Sequence, residues 1–222
     1  MSTRRLRSGH GHSRRRSHHP LARRTIEHVR ARTSRPTAEH SFRSYRFAVL
    51  QAAYDGLRPG ADFDPDLLFS ACALHDLGTC PDAEGRQRFE VEGADMAAAF
   101  LTEGGVAAAD VDRVWEAIAL HTSAGIAERR GTLSYLTRRG IAIDFGVDTD
   151  CVDDAQARTI HAEHPRLRMA ETLAEEIARH ARRNPRNAPR YSLPGELLRE
   201  RGEDGTGRTE MEAAAAQSRW GV

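Results

Sequence analysis

Apolar residues recur at helical spacing through most of the chain, and this pattern constrains the fold more than any other feature. Between Leu21 and Arg199 they fall three or four residues apart, as on one face of an α-helix, and no strand ladder is recognisable. Proline and glycine interrupt the pattern at several points. The sequence therefore predicts an all-α fold in which helices pack around one core.

The interruptions divide the chain into helices of ordinary length. Helices are predicted over residues 22–33, from 37 or 39 onward, 63–75, 91–101, 110–120, 132–143, 165–183 and 194–199, with a weaker segment over 150–161. We expect residues 1–20 to be a disordered Arg/His-rich tail because they contain almost nothing to bury. Residues 21–200 would form one domain, and residues 201–222 would form a mobile C-terminal tail.

The composition excludes several classes of enzyme. Every one of the 33 Lys+Arg residues is arginine, so there is no lysine for a Schiff base, a pyridoxal-phosphate anchor or a P-loop. The three cysteines, without CxxC spacing, indicate reduced thiols. No apolar run approaches the roughly 18 residues of a membrane span, and no apolar segment follows the basic N-terminus as in a secretory signal. We therefore expect a cytoplasmic protein with no membrane partner.

Charge is distributed unevenly along the chain. Residues 1–24 contain eight arginines and no acidic residue, so the remainder carries −7 against +1 for the whole chain. The histidines and arginines of this tail could contact nucleic acid or scavenge a metal ion. A solvated tail is the preferred interpretation, and nucleic acid is not an expected partner of the domain itself.

A histidine and an aspartate stand side by side where an apolar helix ends. Asp64 can cap this helix and Pro65 suits its first position, while Gly78 is expected to end it. Adjacent helical residues diverge by about 100°, so His75 and Asp76 can reach one ion only where the backbone leaves the helix. A neutral imidazole beside a carboxylate suits Zn, Mn, Fe, Co or Ni.

Three further candidates lie at predicted helix boundaries: His40, His121 and Asp144. Taken singly, each has an ordinary explanation, namely a surface histidine, a satisfied core histidine and a helix cap. Together with His75 and Asp76 they supply enough imidazoles and carboxylates to surround a divalent cation. Such a site would leave positions open for water and substrate.

The order His40, His75-Asp76, Asp144 resembles that of the HD-domain superfamily of metal-dependent phosphohydrolases. Four stretches narrow the resemblance to small bacterial HD proteins related to fungal cyanamide hydratase. They are Glu39–Tyr45, Leu74–Thr79, Arg88–Asp95 and Ala117–Ser123.

The resemblance implies an HD-domain helical bundle with one divalent metal ion, zinc being favoured over Mn, Fe, Co and Ni. Its metal ligands would be His40, His75, Asp76 and Asp144, with Asp148 as the competitor for the last position. Asp76, His121 and Glu90 are the candidate catalytic residues. Thr79, Thr122, Arg43 and Phe89 are the candidate substrate-binding residues.

Three functions are compatible with these residues. The first is a hydratase or hydrolase that uses a metal-activated water on a small nitrogen-containing molecule such as cyanamide or a nitrile. The second is a phosphomonoesterase on a nucleotide or other small phosphate ester, in which Arg43, Arg46, Arg86 or Arg88 binds the phosphate. The third is a non-catalytic, metal-stabilised scaffold whose tail binds nucleic acid or a partner. All three functions are compatible with a homo-oligomer.

Overall fold

The computed structural model describes residues 19–221, and within them the chain forms ten α-helices and no β-strand. The all-α prediction is therefore confirmed. The helices are α1 (His19–Arg32), α2 (Arg35–Tyr54), α3 (Pro65–Leu74), α4 (Phe89–Glu103), α5 (Ala108–Ala119), α6 (Thr132–Asp144), α7 (Asp154–Glu163), α8 (Met169–Arg182), α9 (Leu193–Arg201) and α10 (Glu210–Gln217). The predicted N-terminal tail lies outside the described residues, except for its last two, which begin α1.

The starts of the helices follow from their capping residues. The Asp64 carboxylate accepts the N–H groups of Asp66 and Leu67, with Pro65 in the first turn, as predicted. The Ser34 hydroxyl accepts the N–H of Thr37 in the same way at the start of α2. These caps satisfy backbone donors that have no partner within the helix.

The central helix of the bundle is α2, which packs against α3, α6 and α8. Phe42 and Phe47 are both buried, and they belong to separate apolar clusters on different sides of the helix. Because neighbours surround α2, its polar residue His40 lies in the protein interior and is fully buried. The interpretation of His40 as a surface histidine is therefore excluded.

Helices α2 and α6 run antiparallel and approach closely at Gly140. A Cβ atom there would overlap the carbonyl oxygen of Ser44 and lie 2.8 Å from the Cβ of Ala48. One turn later in α6 and one turn earlier in α2, the same contact brings Asp144 next to His40. The absence of a side chain at Gly140 thus sets the distance between two of the predicted site residues.

A second close approach joins α4 to the 3₁₀ turn Leu77–Thr79 that follows α3. A Cβ on Gly78 would overlap the carbonyl oxygen of Phe89 and lie 2.8 Å from the amide nitrogen of Gly93. Gly78 does not end α3 as expected, since the α-helix ends at Leu74. Gly78 instead allows two backbones to touch.

The last part of the chain also differs from the prediction. Leu167 and Arg168 adopt positive φ angles, so α8 begins at Met169 rather than Pro165, and Leu167 is 40 % exposed. The weak segment over 150–161 overlaps α7, which begins at Asp154 and ends at Glu163.

Residues 210–217, which we expected to belong to a mobile tail, form a helix that packs against α8. Thr209 and Glu212 form a reciprocal capping box, and Glu212 also accepts a hydrogen bond from Arg201. Trp220 stacks on Phe47 with ring centroids 5.8 Å apart. Local capping and one aromatic anchor therefore order a stretch whose Gly- and Ala-rich composition suggested fraying.

No helix within residues 19–221 combines the length and the apolar character needed to cross a bilayer. The three cysteines are free.

Replacing Gly78 with alanine should destabilise the protein by about 3 kcal/mol or more, because the new methyl group meets backbone atoms that cannot rotate away. Urea unfolding followed by circular dichroism would measure the change. Gly56→Ala is the control: its φ is +72° but no atom lies within 4 Å of a Cβ there, so about 1 kcal/mol is expected. Equal losses in the two variants would show that the close approach at Gly78 is unimportant.

Candidate metal centre

Four buried polar residues from three parts of the chain meet in the interior of the bundle. His40 lies in the second turn of α2, His75 and Asp76 directly follow α3, and His121 follows α5. None of the four is more than 4 % exposed. Polar groups buried to this extent require partners, since desolvation without them is costly.

The backbone turn after α3 lets adjacent residues face the same space. His75 is still helical (φ −61°, ψ −29°), whereas Asp76 (φ −99°, ψ 12°) leads into the 3₁₀ turn. As a result, Oδ2 of Asp76 lies 3.0 Å from Nε2 of His75. The Thr79 hydroxyl donates to the Asp76 carbonyl oxygen at 2.9 Å and holds the turn in this shape.

Each of the three imidazoles is anchored through its Nδ1 atom. The Nδ1 of His75 lies 2.8 Å from the carbonyl oxygen of Cys72, and that of His121 lies 2.6 Å from the carbonyl oxygen of Ile118. The Nδ1 of His40 lies 2.6 Å from Oδ2 of Asp144. Carbonyl and carboxylate oxygens only accept, so each Nδ1 carries the hydrogen and each neutral ring presents a lone pair at Nε2.

These Nε2 lone pairs converge on the Asp76 carboxylate. The Nε2 atoms of His40 and His75 are 3.2 Å apart, and that of His40 is 3.8 Å from Oδ2 of Asp76. The Nε2 of His121 lies 3.9 Å from Oδ1 of the same carboxylate. Oδ2 of Asp76 is buried and makes no hydrogen bond of acceptable geometry within the described chain.

Acceptors that face one another with no hydrogen between them fit a cation. The ligand atoms of His40, His75 and Asp76 all lie within 4.8 Å of one another. Two imidazole nitrogens and one carboxylate form a donor set suited to a divalent transition metal.

The pKa shifts within the cluster support the same conclusion. Burial lowers the pKa of His40, and it lowers the pKa of His121 to about 4. Burial also opposes protonation of His75, but the neighbouring Asp76 carboxylate outweighs it and raises the pKa of His75. The pKa of Asp76 lies well below its usual range because the nearby imidazoles offset its burial. The raised pKa of His75 and the lowered pKa of Asp76 both show that positive charge is favoured between these two side chains, which a bound cation would supply.

A cavity of about 250 Å³ opens onto this cluster. Apolar side chains form most of its wall, and Thr122 and Arg138 add polar groups. The lining residues are His40, Asp76, Phe89, His121, Thr122, Arg138, Ile141, Ala142, Phe145, Val147, Leu173, Ile177, Leu193, Met211 and Ala214.

Comparison with known protein families agrees with this geometry. The HD domain family model matches residues 37–204, well over half of the chain and the whole of the histidine cluster. The chain belongs to the HD-domain family. HD domains share a metal-dependent phosphohydrolase-type fold and are generally metal-dependent hydrolases. No curated protein matches the sequence, so the narrower likeness to cyanamide hydratase stays a prediction.

The HD-domain structure places Asp144 behind His40 rather than among the ligand atoms that face one another. Its carboxylate accepts hydrogen bonds from His40, from Nε (2.8 Å) and Nη2 (2.9 Å) of Arg43, and from Nη1 of Arg166 (3.3 Å). The Arg43 guanidinium and His40 outweigh burial and hold the pKa of Asp144 well below its usual range. In this arrangement Asp144 orients His40, and its role as the fourth metal ligand stays a prediction.

Two predictions are corrected by the surroundings of their side chains, those for Asp148 and Arg43. Asp148, the competing last ligand, is an exposed residue of the surface and pairs with Arg139. Arg43, expected to contact substrate, is fully buried and also donates to the carbonyl oxygens of His164 and Pro165. Every part of its guanidinium is therefore used within the protein.

The remaining candidates divide into lining and supporting residues. Phe89 lines the cavity and packs edge-on against the ring of His121, with centroids 5.6 Å apart. Thr122 lines it too, and its hydroxyl donates to Oε1 of Glu90 at 2.7 Å. Glu90 is fully buried and paired with Arg88, so it orients Thr122 from behind. Thr79 does not line the cavity and supports the turn at Asp76.

The sequence interpretation missed several lining residues. Arg138, Ile141, Ala142 and Phe145 occupy positions i, i+3, i+4 and i+7 and form one face of α6. That spacing was visible in the sequence and ends one residue past Asp144. Met211 and Ala214 lie on α10, beyond the matched HD segment, and nothing in the local sequence indicated that they reach the site.

Replacing Asp76 with asparagine should abolish tight binding of a divalent ion, because it removes the negative charge from the donor set. Metal analysis of protein purified without chelators, followed by zinc titration calorimetry, would measure the loss. Asp112→Asn, at an exposed position of α5, is the matched control. Retention of one metal ion per chain in the Asp76 variant would contradict the assignment.

Metal affinity should also fall as the pH is lowered. The pKa of His75 is raised above 6.5, so at lower pH an ion must displace the proton from its Nε2 atom. Affinity is then expected to drop about tenfold per pH unit below the raised pKa and to level off above it. Calorimetric titrations between pH 6 and 8.5 test this, and an affinity independent of pH would argue against His75 as a ligand.

Proposed function

We propose that this HD-domain protein is a metal-dependent hydrolase or hydratase that acts on a small molecule bound in the cavity. The observation that carries the proposal is the convergence of the His40 and His75 Nε2 atoms on the Asp76 carboxylate at the wall of an open cavity. A structural site would be closed to substrate, whereas this one borders about 250 Å³ of space.

His40, His75 and Asp76 would hold the ion, and Asp144 would keep the ring of His40 in place. A divalent ion bound there lowers the pKa of water and polarises an electrophile. His121 is neutral at physiological pH, and its Nε2 faces the Asp76 carboxylate beside the cavity. It can therefore accept a proton from the attacking water and return it to the product.

The walls and size of the cavity restrict the substrate. Its volume lies below the roughly 300–1,000 Å³ of pockets for drug-sized ligands, so the substrate should be small. On the resemblance of four stretches to cyanamide hydratase relatives, we place a small nitrogen-containing molecule first, such as cyanamide or a nitrile. The Thr122 hydroxyl, already held by Glu90, offers a polar contact to such a group.

A phosphomonoesterase is the second candidate, and one observation favours it. The arginines expected to bind phosphate are engaged elsewhere: Arg43 with Asp144, Arg46 with Glu163 and Arg88 with Glu90. Arg86 likewise lies next to Glu84. Arg138, in contrast, lines the cavity, so an anionic ester would meet a cationic group there.

A panel of cyanamide, nitriles, ureas and phosphate monoesters, assayed with the metal-loaded protein, tests the proposal and separates the two substrate classes. Replacing His121 with asparagine should lower kcat on the accepted substrate by about 10²–10⁴-fold without loss of bound metal, because the proton acceptor is gone. His28→Asn, at a histidine that packs on Phe100 away from the cluster, should retain full activity.

Two outcomes would contradict the proposal. A loaded protein that turns over no member of the panel would favour the metal-stabilised scaffold. Full activity of the His121 variant would remove its role in proton transfer.

A further inference from the structure

We propose that Arg138 forms an anion-binding subsite in the cavity and that the substrate, rather than neutral cyanamide itself, carries a carboxylate or phosphate group that pairs with its guanidinium. The inference deepens the proposed function and rests on it, because it concerns the same cavity. It assigns the contact with the anion to a residue that lies outside the four sequence motifs.

The first observation is that Arg138 has unused hydrogen-bonding capacity. Its side chain is 20 % exposed and makes no hydrogen bond within residues 19–221. The Nε atom is buried without a partner. A guanidinium has five N–H donors, and a buried charged donor left unpaired costs more than an ordinary unmade hydrogen bond.

Other buried or half-buried arginines show what a satisfied guanidinium looks like in this protein. Arg43 binds Asp144 with two nitrogens and two backbone carbonyls with a third. Arg139, the next residue after Arg138, binds Gln51 and Asp148. Arg138 differs from both in that it borders a cavity and has no such partner.

The nearest carboxylate does not fill this role. Oε1 of Glu128 lies 3.9 Å from Nε of Arg138, beyond hydrogen-bond distance. Its other oxygen, Oε2, accepts the N–H of Gly125 at 2.7 Å. The pair is therefore an ion pair without a hydrogen bond between its partners. Glu128 therefore leaves the guanidinium available to a ligand.

The second observation is the position of Arg138 relative to the metal cluster. Arg138 lines the same cavity as His40, Asp76 and His121, and most of the other lining groups are apolar. A molecule in this space would meet a cation-binding cluster, an apolar wall and one guanidinium. Carboxylates and phosphates both accept two parallel hydrogen bonds from a guanidinium, so this group recognises either class.

Protein-observed NMR of the zinc-loaded full chain provides a test that does not depend on turnover. The Nε–H resonance of Arg138 is identified by its absence in the Arg138→Gln variant. Acetate or methylphosphonate should shift this resonance in a saturable way, whereas acetamide, which is neutral and close to acetate in size, should not. If acetate binds more tightly, the substrate group is assigned as a carboxylate; if methylphosphonate does, it is assigned as a phosphate.

Variants at Arg138 test the subsite, and variants at two nearby residues serve as matched controls. Arg138→Gln should weaken binding of the preferred anion by about 10- to 100-fold, as expected for a lost charge-assisted hydrogen bond. Arg138→Lys should retain part of the affinity. Arg129→Gln removes the same charge from a neighbouring exposed position outside the cavity, and Glu128→Gln removes the adjacent acid, so both should bind the anion at least as tightly as wild type.

The proposal is overturned if neither anion shifts the Arg138 resonance, or if Arg129→Gln weakens binding as much as Arg138→Gln. Failure of the proposed function gives a different result. Anion binding at Arg138 without any turnover would contradict the proposed hydrolase function and support the anion-binding subsite. If only neutral substrates are turned over, and equally by wild type and Arg138→Gln, the subsite proposal is contradicted and the hydrolase function is supported.

Discussion

The site depends on three hydrogen bonds that turn buried imidazoles toward one point. Each Nδ1 atom is tied to an acceptor, two of them backbone carbonyls and one the Asp144 carboxylate. With the hydrogen on Nδ1, every neutral ring directs a lone pair toward Asp76. The interior of the bundle therefore concentrates negative potential at Asp76 that a proton or a metal ion can balance.

Glycines at two close contacts between backbones determine where these groups lie. Gly140 allows α6 to touch α2, and Gly78 with Gly93 allows α4 to touch the turn at Asp76. A methyl group at either contact would overlap backbone atoms of the neighbouring element and force the two elements apart. The glycines thus act on the site through distance rather than through chain flexibility.

A chain of contacts links the end of the protein to the cluster. The Arg166 guanidinium donates to the backbone of Gly221 and to Asp144, and Asp144 holds His40. Trp220 donates its indole N–H to the carbonyl oxygen of Ile143, directly before Asp144. Together with Met211 and Ala214 in the cavity wall, these contacts make the segment beyond the HD match part of the site's construction.

Local sequence determined the all-α class, the capped start of α3 and the juxtaposition of His75 and Asp76 where that helix ends, since helical spacing, capping and helix ends depend on residues a few positions apart. Only the tertiary structure decided that Asp144 lies behind His40, that the Arg43 guanidinium binds groups within the protein and that Arg138 has no hydrogen-bond partner within residues 19–221. The partners of Asp144 lie up to about a hundred residues away along the chain. Their geometry follows from how whole helices pack, which no local pattern encodes.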